Sequence, residues 1–111
     1  MADPLVHLEL HTSNLARACA FYARLCGWRI EPVASYHAFE WDGAIGGGVV
    51  ECGTEHAAWL PYVEVASVER STALAVELGA AVLLPPRDGP AGRRSVVSVP
   101  DGAELALWQS R

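Results

Sequence analysis

The sequence of 111 residues carries a formal charge of −5, and 51% of its residues are hydrophobic. This composition excludes a disordered chain, and the length fits one domain that buries roughly 65% of the surface exposed when unfolded. The excess of acidic residues disfavours binding to nucleic acid, because a protein that binds nucleic acid needs a clustered basic surface. The same excess is compatible with a cationic ligand. No apolar run approaches the ~20 residues that span a bilayer, so we expect no membrane partner.

The three cysteines and the N-terminal residues bear on the cellular compartment. Cys19 and Cys26 would lie about 10 Å apart along one predicted helix, too far for a disulfide. The cysteine count is odd, no CxxC motif occurs, and residues 1–4 lack the basic and apolar regions of a secretory signal. We therefore predict a cytoplasmic protein with buried, reduced thiols.

The first half of the sequence predicts one helix and four strands. Residues 5–11 alternate, so that one strand face is apolar and the other carries His7, Glu9 and His11. Apolar residues then recur at spacings of three and four residues, which predicts a helix that ends at Gly27. The helix covers Leu15–Cys26, and the remaining strands are expected at residues 28–33, 36–41 and 44–52.

Glycine and proline mark special positions in these strands. Pro32 is expected at the edge of a sheet or at the end of its strand, because it has no amide hydrogen to donate. The run from Gly46 to Gly48 invites a β-bulge or the close approach of another group.

The second half repeats the order of the first. A strand at residues 59–65 contains Tyr62 and Glu64, and Ser67 can cap a helix over Val68–Leu78. Further strands are expected at residues 81–84, 95–99 and 103–109. Residues 87–92 are rich in proline and glycine and are expected to form a mobile loop, to which the basic cluster of Arg87, Arg93 and Arg94 is assigned.

The two halves predict two copies of a βαβββ module, residues 1–53 and 58–111 of a single domain, with His7 matching Tyr62 and Glu9 matching Glu64. A helix covers only one face of each sheet, so the other face needs a partner, which the second copy provides. The predicted fold class is α+β: two βαβββ modules forming a curved, half-open mixed-sheet barrel. The expected core residues are Leu8, Leu10, Val63, Val65, Leu105 and Leu107. The residues expected to line the concave face are His7, Glu9, Tyr62, Glu64, Glu104 and Trp108.

Several short motifs occur in a fixed order along the chain: His7-Leu8-Glu9-Leu10, Phe21-Tyr22 ahead of Gly27-Trp28, and Val99-Pro100-Asp101-Gly102 before the last strand. Together they resemble the vicinal oxygen chelate superfamily, which includes glyoxalase I, bleomycin-resistance proteins and extradiol dioxygenases. Residues 44–47 and 59–65 resemble its glyoxalase-like branch of bacterial proteins. The resemblance covers nearly the whole chain and implies paired βαβββ modules, usually in a homodimer.

The resemblance also implies where a divalent metal would be bound. Metal-dependent members place ligands on the first, fourth, fifth and eighth strands, which correspond here to His7, Glu51, Tyr62 and Ala106. Alanine has no donor atom and tyrosine is a rare ligand, whereas such ions need three or four nitrogen or oxygen donors. We therefore expect no metal cofactor, with a site that includes His7 and Glu51 as the alternative.

His7 and the acidic residues are the leading candidates for chemistry. Imidazole titrates near neutral pH, so His7 could serve as a base or hydrogen-bond donor, or could simply be satisfied by Glu9 or Glu64. If Glu9, Glu64 and Glu104 converge, their repulsion raises a pKa and creates a proton acceptor or cation site. Otherwise they are solvated carboxylates.

Aromatic residues and His37 complete the set of candidate ligand-binding residues. Tyr62 could hydrogen-bond a ligand oxygen or form a wall of the pocket. Trp41 and Trp108 could stack on an aromatic or cationic ligand, or belong to the core or a dimer interface. His37 could point into the pocket or away from it.

The first functional hypothesis is a metal-free homodimer that binds a small organic molecule, similar to the antibiotic-sequestering members of the superfamily. The alternative is a glyoxalase-like lyase, isomerase or dioxygenase, which would use His7 with Glu9 or Glu64 as an acid/base pair, or a non-standard metal site. A weaker third hypothesis is a protein-interaction module without a ligand.

Overall fold

The structure is a computed structural model that describes residues 2–33, 36–89 and 91–111. Backbone contacts divide the chain into two compact units. Residues 7–60 form the first, called here the first module. The residues up to Val6 and residues 61–111 form the second module.

The first module is built from one helix and a mixed sheet. Its strands are β1 (Leu5–Thr12), β2 (Arg29–Val33), β3 (Tyr36–Glu40) and β4 (Gly46–Glu51), and its helix is α1 (Leu15–Cys26). The strand order is β2-β3-β4-β1, in which β4 and β1 run parallel and the other pairs antiparallel. The predicted position of Pro32 is confirmed, because β2 is the edge strand.

A capping side chain begins α1, and the predicted glycine ends it. The Asn14 side chain accepts a hydrogen bond from the Arg17 amide at 3.0 Å, and thereby caps the first turn. Gly27 adopts a φ of 74°, a left-handed conformation that glycine reaches without a steric penalty. The predicted bounds of this helix are confirmed.

The second module repeats the architecture. It contains β5 (Ala58–Glu64), α2 (Val68–Glu77), β6 (Ala81–Asp88), β7 (Gly92–Ser98) and β8 (Glu104–Ser110). The strand order is β5-β8-β7-β6, with β5 and β8 parallel and the other pairs antiparallel. The predicted α+β class with two βαβββ modules is confirmed.

The core of each module lies between its helix and its sheet. In the first module Leu10, Phe39 and Val49 are buried against the α1 residues Leu15, Ala18, Cys19 and Tyr22. In the second module the buried cluster is Val65, Val68, Val97 and Leu107, with Val63 and Leu105 partly buried against it. The predicted core residues therefore lie in these clusters, except Leu8, which is only half-buried and lines a cleft.

The loop expected at residues 87–92 is wrong at Arg87, Asp88 and Gly92, which lie in strands, whereas Gly89 and Ala91 lie outside the strands and Pro90 lies outside the described residues. Strand β6 continues through Pro85 and Pro86 to Asp88, and β7 begins at Gly92. Arg87, Arg93 and Arg94 therefore all lie in strands. Two register shifts interrupt the pairing of β6 with β7, and the second, between Leu84 and Arg87, includes Pro85 and Pro86. Proline is tolerated there because β6 is an edge strand, where an amide hydrogen is not required.

Two further observations concern the cysteines and the lengths of the helices. The expectation of buried thiols is wrong for Cys26 and Cys52, which are exposed; Cys19 is half-buried, and all three are free. No helix in the described part of the chain is long and apolar enough to cross a membrane.

Candidate functional site

Strand pairing assigns each side chain in the first module to one of two faces. Leu10 and His37 both pair with Val49, and paired residues share a face. This face is covered by α1, since Leu10 and Val49 pack against that helix. We call it the helix face, and the opposite face of each sheet the distal face. Glu9 and its partner Gly48 lie on the distal face.

The distal face of the first module carries a carboxylate between two imidazoles. The Glu9 carboxylate lies 2.8 Å from Nε2 of His11 and 3.9 Å from Nε2 of His7. The three residues alternate along β1, which places all of them on one side of the strand. Their side chains are 24%, 14% and 34% exposed in chain order, so solvent reaches each of them.

Two influences on the pKa of His7 oppose each other. Burial lowers the pKa of His7 below its ordinary value, and the negative charge of Glu9 raises it by a smaller amount. The imidazole is therefore neutral at pH 7 and can accept a proton. The nearby carboxylate would stabilise the imidazolium that results.

The distal face of the second module carries a phenol, a guanidinium and an indole. Nη1 of Arg94 donates a hydrogen bond to the Tyr62 hydroxyl at 2.7 Å. Trp108 pairs with both Glu64 and Arg94, so these three side chains share the face. Opposite Tyr62 stands Ala106, which is fully buried.

Glu64 and Glu104 do not converge. Glu64 pairs with Trp108, and Glu104 lies four residues earlier on β8. At about 3.3 Å per residue, these positions are about 13 Å apart along the strands. Glu104 is also exposed at the start of its strand.

Two of the predicted ligand-binding residues lie on the helix face of the first module. His37 shares that face through its pairing with Val49. Trp41 packs 4.6 Å from Trp28 and stacks on Phe39 at 5.7 Å between ring centroids. The structure therefore does not bring His37 or Trp41 together with His7.

An open cleft of about 770 Å³ adjoins this aromatic cluster. The residues that line it include Leu8, Trp28 and Trp41 and the acidic residues Glu40 and Asp42. The Trp41 indole donates a hydrogen bond to the Ile45 carbonyl oxygen at 2.6 Å, so it is held in place by its own module. This cleft was not predicted from the sequence, because it lies on the helix side of the sheet.

The residues at the implied metal positions do not fit a metal site. Glu51 lies on the helix face, where its carboxylate accepts a hydrogen bond from the Leu15 amide at 2.9 Å, whereas His7 lies on the distal face. Tyr62 is hydrogen-bonded to a guanidinium, and Ala106 has no donor atom. Among the described residues, no group of three or more histidine, cysteine, aspartate or glutamate side chains could hold a metal ion.

Sequence reasoning missed two residues of these faces. His11 was assigned no role, although its position two residues after Glu9 in an alternating strand is a sufficient signal. Arg94 was assigned to a loop, because the neighbouring prolines and glycines obscured the alternation of β7. Its partner Tyr62 is 32 positions away, so no local pattern indicates the contact.

The paired βαβββ modules define a protein of the vicinal oxygen chelate class. A model of the glyoxalase-like domain matches residues 6–108, and the chain therefore belongs to that family. No curated protein matches the sequence.

Solved structures confirm the fold at low sequence identity. The hypothetical protein BH1468 from Bacillus halodurans matches with a TM-score of 0.72 at 13% identity, covering 100% of this chain and 96% of that one. An NAD-dependent benzaldehyde dehydrogenase from Legionella pneumophila matches with a TM-score of 0.68 at 18% identity, covering 95% of this chain and 98% of that one. A third match is the S115T methylmalonyl-CoA epimerase of Streptomyces coelicolor in complex with 2-nitronate-propionyl-CoA. Its TM-score is 0.66 at 17% identity, and the match covers 99% of this chain and 96% of that one.

Proposed function

We propose that this protein binds a small organic molecule on the distal face of its first module, without the metal of its superfamily. The observation that carries the proposal is the array of His7, Glu9 and His11, a carboxylate held between two imidazoles on a sheet face that solvent reaches. A few polar groups on a partly buried surface are typical of small-molecule sites, in which they fix the orientation of the ligand.

The partial burial of these groups favours recognition over simple solvation. Hydrogen bonds are electrostatically stronger where water is partly excluded, and both His7 and Glu9 are less than a quarter exposed. The absence of a metal in this proposal is supported by the donor set, since Glu51 and His7 project from opposite faces.

Between an aromatic and a cationic ligand, we favour the aromatic one. A cation would be attracted to Glu9, but there it would compete with His11, which lies 2.8 Å from the carboxylate. An aromatic ligand does not have to displace His11 from the carboxylate in order to bind. It also fits the natural-product antibiotics that sequestering members of the superfamily bind.

A thermal-shift screen of natural-product antibiotics and other small aromatic compounds tests this proposal. A ligand that binds only the folded state raises the melting temperature. We expect the shift to be lost in Glu9→Gln and kept in Asp42→Asn, which alters a carboxylate at the cleft of the same module. A shift lost only in Asp42→Asn would move the site to the cleft, and no shift with any compound would overturn the proposal.

A second candidate function is proton transfer by His7, and the pKa of His7 favours it. A neutral imidazole beside a carboxylate can abstract a proton from carbon next to a carbonyl, as a lyase or isomerase of this fold would do. Such a base contributes about 10²–10⁴-fold to a rate. The dioxygenase alternative depends on a metal that the residues present do not fit.

Proton exchange in heavy water, followed by NMR over a panel of carbonyl compounds, tests this second function. We expect His7→Gln to reduce catalysed exchange to the buffer rate, whereas Asp42→Asn leaves it unchanged. The wild-type rate should be constant above pH 7 and fall below the lowered pKa of His7. Exchange that never exceeds the buffer rate would eliminate the enzymatic function.

A further inference from the structure

We propose that the distal face of the second module contains a carboxylate-binding site, in which Arg94 binds the carboxylate and Trp108 contacts the ring of a small aromatic acid. This site consists of residues other than those of the proposed function, and it stands or fails independently of them.

The first observation is the unusual environment of Arg94. Arg94 is half-buried, and within the described part of the chain its Nη1 donates a hydrogen bond to the Tyr62 hydroxyl. Within the described ranges of the chain, no carboxylate lies at ion-pair distance from it. A partly buried cation without a counter-charge is costly, so this position favours an external anion.

The adjacent residue shows what a paired arginine looks like in the same strand. Arg93 lies on the helix face, where its guanidinium is 2.7 Å from Glu69 and 3.2 Å from Asp88. Arg93 and Arg94 therefore differ in their face and in their partners, although they are neighbours in β7. Among the described residues, therefore, Arg93 has carboxylate partners on the helix face, and its neighbour Arg94 has none on the distal face.

The geometry at Arg94 suits a planar anion. A guanidinium presents five N–H donors in a fixed fork that matches the two oxygens of a carboxylate. Tyr62 is only 7% exposed, and its hydroxyl holds Nη1 at 2.7 Å. This contact fixes one end of the fork and reduces the rotamer entropy that binding would cost.

A flat apolar surface lies beside the fork. Trp108 is the cross-strand partner of Arg94, and it is half-buried. A Cβ atom on Gly92 would clash with the Gln109 carbonyl oxygen and would also stand 2.8 Å from Nε1 of Trp108, so the indole lies close to the backbone of β7 at this glycine. Cross-strand neighbours are about 5 Å apart, and a ring attached directly to a bound carboxylate can therefore contact the indole.

The test compares 2-naphthoate with its uncharged analogue 2-naphthamide by isothermal titration and by ligand-observed NMR. We expect naphthoate to bind with a Kd of about 1 mM or tighter, and naphthamide to bind at least about tenfold more weakly. Equal binding of the two compounds, or no saturable binding of naphthoate, would overturn the proposal.

Two arginine variants locate the site. Arg94→Gln should weaken naphthoate binding about ten- to a hundredfold, as expected for the loss of charge-assisted hydrogen bonds. Arg93→Gln removes the same charge from the adjacent position, and we expect it to change the Kd by less than about twofold. Similar losses in both variants would indicate general electrostatic attraction and would contradict a built site.

A third variant keeps the test decisive if Arg94→Gln does not fold. Arg94→Lys retains the charge but lacks the fork, and it should also weaken naphthoate binding relative to wild type. Unchanged binding in a folded Arg94→Lys would contradict the proposed recognition. Asp42→Asn, which alters a carboxylate at the cleft of the first module, should bind naphthoate like wild type.

Discussion

Trp41 lies against the backbone of Gly47, at the position that the Cβ atom of any other residue would occupy. The indole is also fixed by its hydrogen bond to the Ile45 carbonyl and by its packing on Trp28. The glycine run in β4 was expected to form a bulge or to admit a close neighbour. The close neighbour is a side chain of the same module.

Gly47→Ala should therefore destabilise the protein. The added methyl group must displace the Trp41 ring or the strand, and overpacking of this kind costs about 1–3 kcal/mol. Urea unfolding followed by tryptophan fluorescence measures the loss. Gly53→Ala is the matched control, because a Cβ atom there meets nothing within 4 Å. Equal stability of both variants would show that the indole moves aside without cost.

A buried pair of hydroxyls in the second module supports another prediction. Oγ1 of Thr72 donates to the Val68 carbonyl at 2.6 Å and lies 2.7 Å from Oγ of Ser95, whose side chain is fully buried. Thr72→Val removes one partner and leaves the Ser95 hydroxyl unsatisfied, which costs about 1–3 kcal/mol. The double variant Thr72→Val, Ser95→Ala removes both polar groups and should recover part of the loss. Urea denaturation that shows additive losses would contradict this coupling.

The lowered pKa of His7 predicts a pH dependence of stability. The unfolded chain binds a proton near the ordinary value of 6.5, whereas the folded protein does so only at lower pH. The free energy of unfolding should therefore fall as the pH decreases below about 6.5, and level off below the folded pKa. In His7→Asn this part of the pH dependence should disappear. Urea titrations between about pH 7.5 and about pH 5 measure how the free energy of unfolding changes with pH in wild type and in His7→Asn. An identical pH dependence in the two proteins would contradict the predicted role of burial.

Glu51 is predicted to stabilise helix α1. Its carboxylate accepts a hydrogen bond from the Leu15 amide and places a negative charge at the helix N-terminus. Glu51→Ala should lower stability by about 0.3–1 kcal/mol, and 1 M salt should reduce the difference. The same variant should leave ligand binding unchanged. Loss of binding in a folded Glu51→Ala would instead support the alternative in which Glu51 acts with His7.

Most of the secondary structure could be predicted from the sequence. The bounds of α1 are as expected, and α2 ends one residue before the predicted Leu78. The other strands differ from prediction by one or two residues at their ends. These features were accessible because helical periodicity, strand alternation and glycine conformations depend on neighbouring residues. The exception was β6 and β7, where prolines at a sheet edge looked like the end of a strand.

The candidate site was only partly predictable. His7 and Glu9 were correctly placed on one face, because alternation within β1 is a local property. The faces of His37, Trp41 and Glu51 depend on how β3 and β4 pair with β1, and a shift of one residue exchanges the two faces.

The duplicated βαβββ order, the bounds of α1, the alternation of His7, Glu9 and His11 along β1, and the set of titratable and aromatic residues available for a site could all be read from the sequence. That Glu51 caps a helix and that Arg94 contacts Tyr62 became known from the tertiary structure alone. The physical reason is that these contacts follow from strand register, which is fixed by hydrogen bonds and packing between distant segments. No local pattern in the sequence contains that information.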